Sequence, residues 1–246
     1  MIMQRILDEK QKAAMQKDGS TLKYMYSVAG AGKGLAAGGW TLLVIGLALT
    51  AMVSTAGVPQ MLVMGAVTIL PGVLLVLLGK WKQDQRDHGW VQAYAECSGI
   101  SEADVLQADA EFLDSRTAVV GVWGGDKNAK KKAGFVSPNY FKVPGIWPRL
   151  YRLQDVSACF FTDQFICEDG GYAKAVVIYG TSPERCTEIV DISEKRAAEI
   201  IGAVKAAAPS VITDRCFQYE GQTYDALEQR EQVVALYNHV MGQSAQ

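Results

Sequence analysis

The fold is decided by GLAAGGWTLLVIGLALTAMVSTAGVPQMLVMGAVTILPGVLLVLLG, residues 34–79, a run of 46 residues without Asp, Glu, Lys, Arg or His. Its one turn-like segment, residues 54–60, divides the run into two apolar pieces of about 20 residues each. A helix of that length is about 30 Å long and matches the hydrocarbon core of a bilayer. Because backbone groups inside a bilayer must bond to one another, the pattern predicts a transmembrane hairpin of two helices.

The charges that flank the hairpin indicate its orientation. Residues 1–33 carry six Lys and Arg against three Asp and Glu, and Lys80, Lys82 and Arg86 follow the second span, whereas the turn is uncharged. The positive-inside bias therefore predicts a multi-pass protein of a bacterial-type plasma (inner) membrane with both termini in the cytoplasm. Residues 1–33 are predicted to be a cytoplasmic lead-in. The weak amphipathic pattern of residues 2–17 fits either a helix on anionic headgroups or a solvated tail.

Glycines recur at a spacing of seven residues in both spans. Gly39 and Gly46 lie in the first span, and Gly65 and Gly72 lie in the second. Counting outward from the turn brings Gly46 near Gly65 and Gly39 near Gly72, so these faces are predicted to form the contact between the helices. No ionisable residue lies within either span, which favours an anchor over an ion or proton pathway.

The chain after the hairpin changes from helical to strand-forming patterns and back. Residues 80–114 are predicted to form a helical stalk, interrupted near Gly89 and restarted by a capping box from Ser101 to Asp104. Residues 115–212 read as a β domain that ends in one amphipathic helix, and residues 213–246 read as a helical extension. The expected strands are 117–123, 135–143, 149–153, 156–162, 173–179 and 188–192. The apolar stripe of the amphipathic helix is Ala197, Ile200, Ile201, Val204 and Ala208.

One segment of the β domain resembles a known family. In Trp147–Val156, an aromatic-Pro-x-hydrophobic strand ends in a hydrophobic-x-Asp-Val step into the next strand. This resembles small bacterial membrane-anchored proteins with a pleckstrin-homology-like (PH-like) domain, and the likeness extends over roughly residues 115–212. It implies an α+β membrane protein with an antiparallel β-barrel or sandwich capped by a C-terminal helix. It also implies a domain that binds lipids, peptides or protein partners.

Four lysines form the sharpest local cluster of charge in the β domain. Lys127, Lys130, Lys131 and Lys132 fall in the loop between the first two expected strands. PH-like domains that bind lipids place phosphate-contacting cations in that loop, so the resemblance implies contact with anionic lipid headgroups. Such a contact is worth about 1 kcal/mol for each cation near a membrane surface. The alternative is a loop whose lysines are merely solvated.

Composition excludes several other classes of function. Residues 80–246 carry eighteen Lys and Arg against twenty-three Asp and Glu, which argues against binding to nucleic acid. The five cysteines show no C-x-x-C spacing and the chain has only two histidines, so no metal site or cofactor is expected. His88 and His239 belong to no catalytic motif. We therefore expect no catalytic residue and no enzyme activity.

The sequence as a whole favours a membrane-anchored, non-catalytic protein that binds or scaffolds partners through a cytosolic PH-like domain. The expected partners are the lipid bilayer, anionic headgroups and another protein. One alternative is an accessory or regulatory subunit of a membrane complex, in which the hairpin itself makes the functional contacts. A second is a membrane-bound hydrolase, which would need a pocket with an activated nucleophile.

Overall fold

The computed structural model describes residues 15, 19–26, 31–56, 60–121 and 132–244. The chain divides into two compact units. The helical unit is Tyr26–Gln92, and the β unit combines Met1–Met25 with Ala93–Gln246. The protein is therefore α+β, with two long apolar helices in one unit and antiparallel sheets in the other.

The described helices, in chain order, are α1 (Thr21–Tyr26), α2 (Ala31–Ala56), α3 (Gln60–His88), α4 (Trp90–Ser98), α5 (Glu102–Glu111), α6 (Glu194–Ala207) and α7 (Arg230–Ser244). The described strands are β1 (Ala118–Val120), β2 (Gly134–Val136), β3 (Tyr140–Lys142), β4 (Leu150–Arg152), β5 (Val156–Ile166), β6 (Tyr172–Gly180), β7 (Cys186–Val190), β8 (Cys216–Tyr219) and β9 (Gln222–Asp225). The strands expected between residues 117 and 192 are all present, and the one expected over 135–143 is divided into β2 and β3.

Two antiparallel helices make up most of the helical unit. Within α2 and α3, the segments Gly34–Met52 and Val63–Asp84 are long and apolar enough to cross a membrane. Helix α3 continues through Pro71 and ends at His88, and a bend at Gly89 separates it from α4, as the sequence predicted. Thr50 and Thr68 donate their hydroxyl protons to carbonyls of their own helices, at 2.8 Å and 2.9 Å, so these polar groups need no outside partner.

The sheets of the β unit are antiparallel throughout and stay separate. Strands β1 to β4 form one sheet in sequence order, β5 to β7 form a second, and β8 and β9 form a hairpin. Of the barrel or sandwich that was expected, the closed barrel is not formed by the described strands, because β4 and β7 each pair on one side only. Strand β4 is only three residues long. A single turn of 3-10 helix (Leu153–Asp155) follows it and leads the chain into β5 of the second sheet, so the first sheet ends at β4.

Helix α6 packs against both sheets and completes the main hydrophobic core. Ala197, Ile200 and Val204 are buried as the sequence predicted, against inward side chains that include Phe141 of β3 and Ile178 of β6. Ile201, predicted to be buried, is only half-buried, and Ala203 is buried instead. At 100° per residue the buried face is centred near Ile200 and Val204, which leaves Ile201 at its border.

Helix α5 covers the outward face of the four-stranded sheet. It begins with the predicted capping box, in which Asp104 N donates to Ser101 Oγ and Ser101 N donates to Asp104 Oδ2, both at 3.2 Å. Asp104 Oδ1 also accepts hydrogen bonds from Arg152 Nε and the Tyr140 hydroxyl, each at 3.0 Å. These hydrogen bonds hold the pKa of the Asp104 carboxyl well below its usual range, and the bond from Arg152 makes the largest contribution. The Asp104 side chain therefore both caps α5 and links it to the four-stranded sheet.

Part of the N-terminal lead-in belongs to the β unit. Leu22 N donates a hydrogen bond of 2.8 Å to Asp109 Oδ1 of α5, and Leu22 and Met25 are buried. Burial raises the pKa of the Asp109 carboxyl. Of the segment 2–17, expected to be amphipathic, only Met15 is described, and it is buried. The remainder of that segment lies outside the described residues.

The outward face of the three-stranded sheet is covered by α7 and the hairpin before it. Tyr179 of β6 donates its hydroxyl proton to the Ala226 carbonyl at 3.0 Å, and the Arg230 guanidinium lies 5.2 Å from the centre of the Tyr179 ring. The expected helical extension over residues 213–246 is thus only partly correct, because β8 and β9 precede the helix. Glu220 and Gly221 join these strands with φ of 49° and 80°, the left-handed pair that a two-residue hairpin turn requires.

Lys142 is buried on the outward face of β3, beside its register partners Phe135 and Leu150. Its ammonium donates one hydrogen bond, of 3.1 Å, to the Gly145 carbonyl. No carboxylate in the described part of the chain lies within ion-pair distance of it. Burial lowers the pKa of the Lys142 amine from 10.5 to about 7. This side chain therefore destabilises the fold at pH values where it must carry a charge.

The burial pattern of α6 predicts a contrast between two neighbouring positions. Ile200→Asp places an unpaired carboxylate in the main core, and we expect the free energy of unfolding of the β unit to fall by several kcal/mol. Ile201→Asp makes the same change at the border of that face, where water reaches the carboxylate, and should cost much less. Thermal unfolding of the full chain in maltoside micelles compares the two. Equal losses would show that the helix is rotated from its described position.

The buried lysine predicts a stability difference that depends on pH. Between about pH 7 and pH 10.5 the unfolded chain holds a proton that the folded chain releases. The free energy of unfolding of the wild type should therefore rise across this window, by at most about 1.4 kcal/mol per pH unit. Lys142→Met lacks this rise, so its stability advantage should be largest below pH 7 and shrink as pH increases. Thermal midpoints of the full chain across the window measure it.

A matched control for that experiment is Lys174→Met, because Lys174 is exposed on β6. Its substitution should leave the pH dependence of the wild type unchanged. A Lys142→Met advantage that stays constant across the window would contradict the lowered pKa.

Candidate functional site

The lysine cluster predicted from the sequence is only partly described. Lys127, Lys130 and Lys131 lie outside the described residues, whereas Lys132 is exposed just before β2. The Lys132 carbonyl accepts a hydrogen bond of 2.7 Å from Gly145 N, in the loop between β3 and β4. Lys132, directly before β2, therefore meets the β3–β4 loop at this end of the sheet.

Pro144 sets how closely the two loops approach. A Cβ atom on Gly121 would lie 2.8 Å from Pro144 Cβ, and one on Gly134 would lie 2.6 Å from Pro144 Cδ. Gly121 also has a φ of +75°, which side chains rarely allow. The two glycines at the ends of β1 and β2 thus make room for the proline ring.

The β3–β4 loop is held by hydrogen bonds along its length. Lys142 Nζ donates to the Gly145 carbonyl, Val143 N donates to the Arg149 carbonyl at 3.1 Å, and Arg149 N donates to the Trp147 carbonyl at 2.9 Å. Together with the bond from Gly145 to Lys132, these contacts fix the backbone on both sides of residues 146 and 147. The loop is therefore a defined platform for those two side chains.

Ile146 and Trp147 project from this platform into solvent. Their exposed fractions are 55% and 69%, although both are large apolar residues. We call Lys132, Ile146 and Trp147 the tip surface. It joins an exposed cation to two exposed apolar groups on adjoining loops. Trp147 carries part of the family resemblance in the sequence, but it was not predicted to be a site residue. The available signal was the pair of large apolar residues between Gly145 and Pro148.

The four glycines predicted to pack are also brought together in pairs, within the helical unit. A Cβ atom on Gly46 would lie 3.1 Å from the Gly65 carbonyl oxygen. One on Gly39 would lie 2.7 Å from the Gly72 carbonyl oxygen. The helix backbones are therefore in direct contact at both levels, and a larger side chain at these positions would push them apart. Large apolar side chains such as Val44, Leu47 and Leu70 are turned outward, with exposed fractions of 64%, 62% and 71%.

Two of the described cysteines are held in the protonated form by their surroundings. Burial raises the pKa of the Cys159 and Cys186 thiols to about 12, which keeps both in the unreactive protonated form. His88 lies 3.7 Å from Asp84 one turn earlier on α3, with both side chains largely exposed. Within the described ranges, no three His, Cys, Asp or Glu side chains are grouped so that they could hold a metal ion.

The arrangement at the tip surface is suited to binding, because it presents an exposed cation and apolar groups on loops whose backbones are fixed. It offers no nucleophile and no base within reach of one among the described residues. Comparison with known proteins finds no protein-family model, curated protein or solved structure that matches this chain.

Proposed function

We propose that this protein is a membrane-anchored, non-catalytic binding protein whose PH-like β unit contacts an anionic membrane surface through the tip surface. The observation that carries the proposal is the exposed pair Ile146 and Trp147, held beside Lys132 on fixed backbone. The anchor, the domain type and the contact are supported by separate features.

The membrane anchor is supported by the side chains that α2 and α3 turn outward. Removal of one such side chain from water stabilises a protein by about 1.5–3 kcal/mol, so a hairpin in water would bury them against each other. Here glycines lie at the contact between the two helices and the large apolar side chains face outward. This arrangement suits a lipid surrounding. Both flanks of the hairpin belong to the same compact unit, which supports two termini on one side of the membrane.

The PH-like domain type is supported by the layering of the β unit. Two antiparallel sheets with one helix packed against both agree with the sandwich that the family resemblance implies. Helices cover the outward faces of both sheets, α5 on one and α7 on the other. Loops at the ends of the strands are therefore the places where such a unit can bind a partner.

The anionic membrane surface is supported by the chemistry of the tip surface. Indole rings prefer the headgroup layer, where the ring is partly desolvated and the N–H stays hydrated. Lys132 and the three lysines that precede it in the sequence add attraction to anionic lipid, although residues 80–246 carry a net charge of −5. Apolar contact and local charge together offset the repulsion from the acidic remainder.

The proposed topology can be measured in intact cells. A cysteine introduced as Thr55→Cys, at the end of α2, should react with a membrane-impermeant maleimide added from outside. The native Cys97 and Cys216 are exposed in the structure and should react only after lysis. They act as internal controls for reagent access. Labelling of these native thiols in sealed cells would contradict cytoplasmic termini.

The proposed membrane contact can be measured from the fluorescence of Trp147. The full chain is reconstituted in vesicles with brominated acyl chains, and subtraction of the Trp147→Phe spectrum isolates this residue. We expect strong quenching in anionic vesicles and weak quenching in neutral ones, with a loss at high salt because charges are screened beyond about 10 Å at 0.1 M. Equal brightness in brominated and plain anionic vesicles would rule out the contact.

Two variants test which side chains make that contact. Ile146→Ser removes an apolar group of the tip surface and should reduce the quenching. Tyr172→Ser is the matched control, because Tyr172 is 74% exposed on β6, in a part of the β unit outside the tip surface. It should leave the quenching of Trp147 unchanged.

A further inference from the structure

A second candidate site lies in a cleft between the edge strands β4 and β7 of the two sheets. Its volume is about 240 Å³. Its polar lining includes Arg149, Arg185 and Thr187, together with Ser98 at the end of α4. Pockets for drug-sized ligands begin at about 300 Å³, so this cleft suits a small ligand or one end of a larger one.

Arg149 has hydrogen-bonding capacity left over in this cleft. Its Nη1 donates to Thr187 Oγ1 at 2.8 Å and to the Cys186 carbonyl at 3.1 Å. These contacts orient the guanidinium but leave its Nε and Nη2 donors without a partner among the described residues. The side chain is half-buried and has no carboxylate within ion-pair distance in the described part of the chain. An arginine held in this way is a fixed cation that an oxyanion can reach.

Arg185 adds a second fixed cation. Its guanidinium lies 5.1 Å from the centre of the Tyr151 ring, and Nη2 donates to the Ser98 carbonyl. The Asp155 carboxylate lies 3.8 Å from Arg185 Nη1, a distance that is too long for a strong hydrogen bond. The Tyr151 and Thr187 hydroxyls are 2.7 Å apart and hold the floor of the cleft in place. The charge of Arg185 is thus only partly offset.

We infer that this cleft is a binding site for a phosphate group. A phosphate carries up to two negative charges and several oxygens, whereas a carboxylate has two oxygens. It can therefore accept from Arg149 and Arg185 together, and also from the Thr187 hydroxyl when Tyr151 is the donor of the Tyr151–Thr187 bond. Of the cleft lining, only Glu184 bears a carboxylate, and its side chain is exposed to solvent. The cleft shares no lining residue with the tip surface, and its occupation by phosphate does not depend on the membrane contact proposed for that surface.

The phosphate could belong to a soluble compound or to a lipid headgroup. Arg149 and Thr187 also line a neighbouring cavity of about 170 Å³, whose lining includes Trp147. A lipid phosphate at Arg149 would therefore have an exposed apolar residue of the tip surface beside it. A soluble phosphate ester would need only the cleft.

The site is tested by titrating inorganic phosphate into the full chain in maltoside micelles. Thermal midpoints are compared with those in chloride at the same ionic strength. We expect the midpoint of the wild type to rise with phosphate and, above Kd, to follow the logarithm of the phosphate concentration, because a ligand that binds only the folded state stabilises it in this way. Arg149→Gln should abolish the rise. Arg116→Gln removes an equal charge from an exposed ion pair with Asp114 and should keep it.

Arg149→Lys guards against a variant that fails to fold. It keeps the charge but loses the planar fork of donors, so the phosphate concentration needed for a given rise of the midpoint should increase at least tenfold. No rise in the wild type beyond that in chloride, or an equal rise in the wild type and Arg149→Lys, would overturn the site. Displacement of phosphate by a soluble short-chain phosphatidylglycerol would identify a headgroup as the ligand. Displacement by glycerol phosphate alone would identify a soluble ester. The quenching of Trp147 is a separate readout, so the two proposals can fail independently.

Discussion

The β unit depends on α6, because this helix fills the space between two sheets that no strand ladder joins among the described residues. Ile200 and Val204 meet side chains from both sheets, and this shared core fixes how the sheets face each other. The edges of β4 and β7 then come close enough for Arg149 of one sheet to bond Thr187 of the other. The phosphate cleft is therefore a product of the same packing that stabilises the core.

The tip surface has a different origin, in the crowding of backbone around Pro144. Glycines at 121 and 134 admit the proline ring, and the bond from Gly145 to Lys132 joins the two loops. The Lys142 ammonium also bonds to this loop, at the Gly145 carbonyl, and this contact requires the burial of a charge. A protein selected only for stability would place Met or Leu at this position. Lys142 orders a loop that exposes Ile146 and Trp147, so local stability is lost where the apolar groups are presented.

Local patterns in the sequence were enough for several elements of the fold. The capping box at Ser101 and Asp104 starts α5 as predicted, because both bonds depend on residues three positions apart. The edge of the buried face of α6 could not be placed to within one residue, since Ile201 differs from Ile200 only in its angle to the sheets. The hairpin at Glu220 was missed because a non-glycine residue supplies the first left-handed position of its turn.

The candidate sites were harder to predict than the elements that form them. The lysine loop stood out because its charges are adjacent in the sequence. The phosphate cleft did not, because Arg149 and Thr187 are 38 residues apart and meet only through the packing of two sheets. Trp147 was visible as a motif residue, yet its exposure depends on loop contacts that no local pattern encodes. Residues that act through long-range contacts are recognisable only once the sheets are assembled.

The bond between Leu22 and Asp109 has a consequence for how the protein is made. Residues before the apolar hairpin and residues after it share one fold, so the hairpin is an insertion within that fold. On the ribosome the segment that includes Leu22 emerges long before its partner on α5 has been translated. The hydrogen bond from Leu22 to Asp109 therefore cannot form while the two apolar helices are being synthesised. Completion of the β unit therefore requires that the intervening helices have already been made.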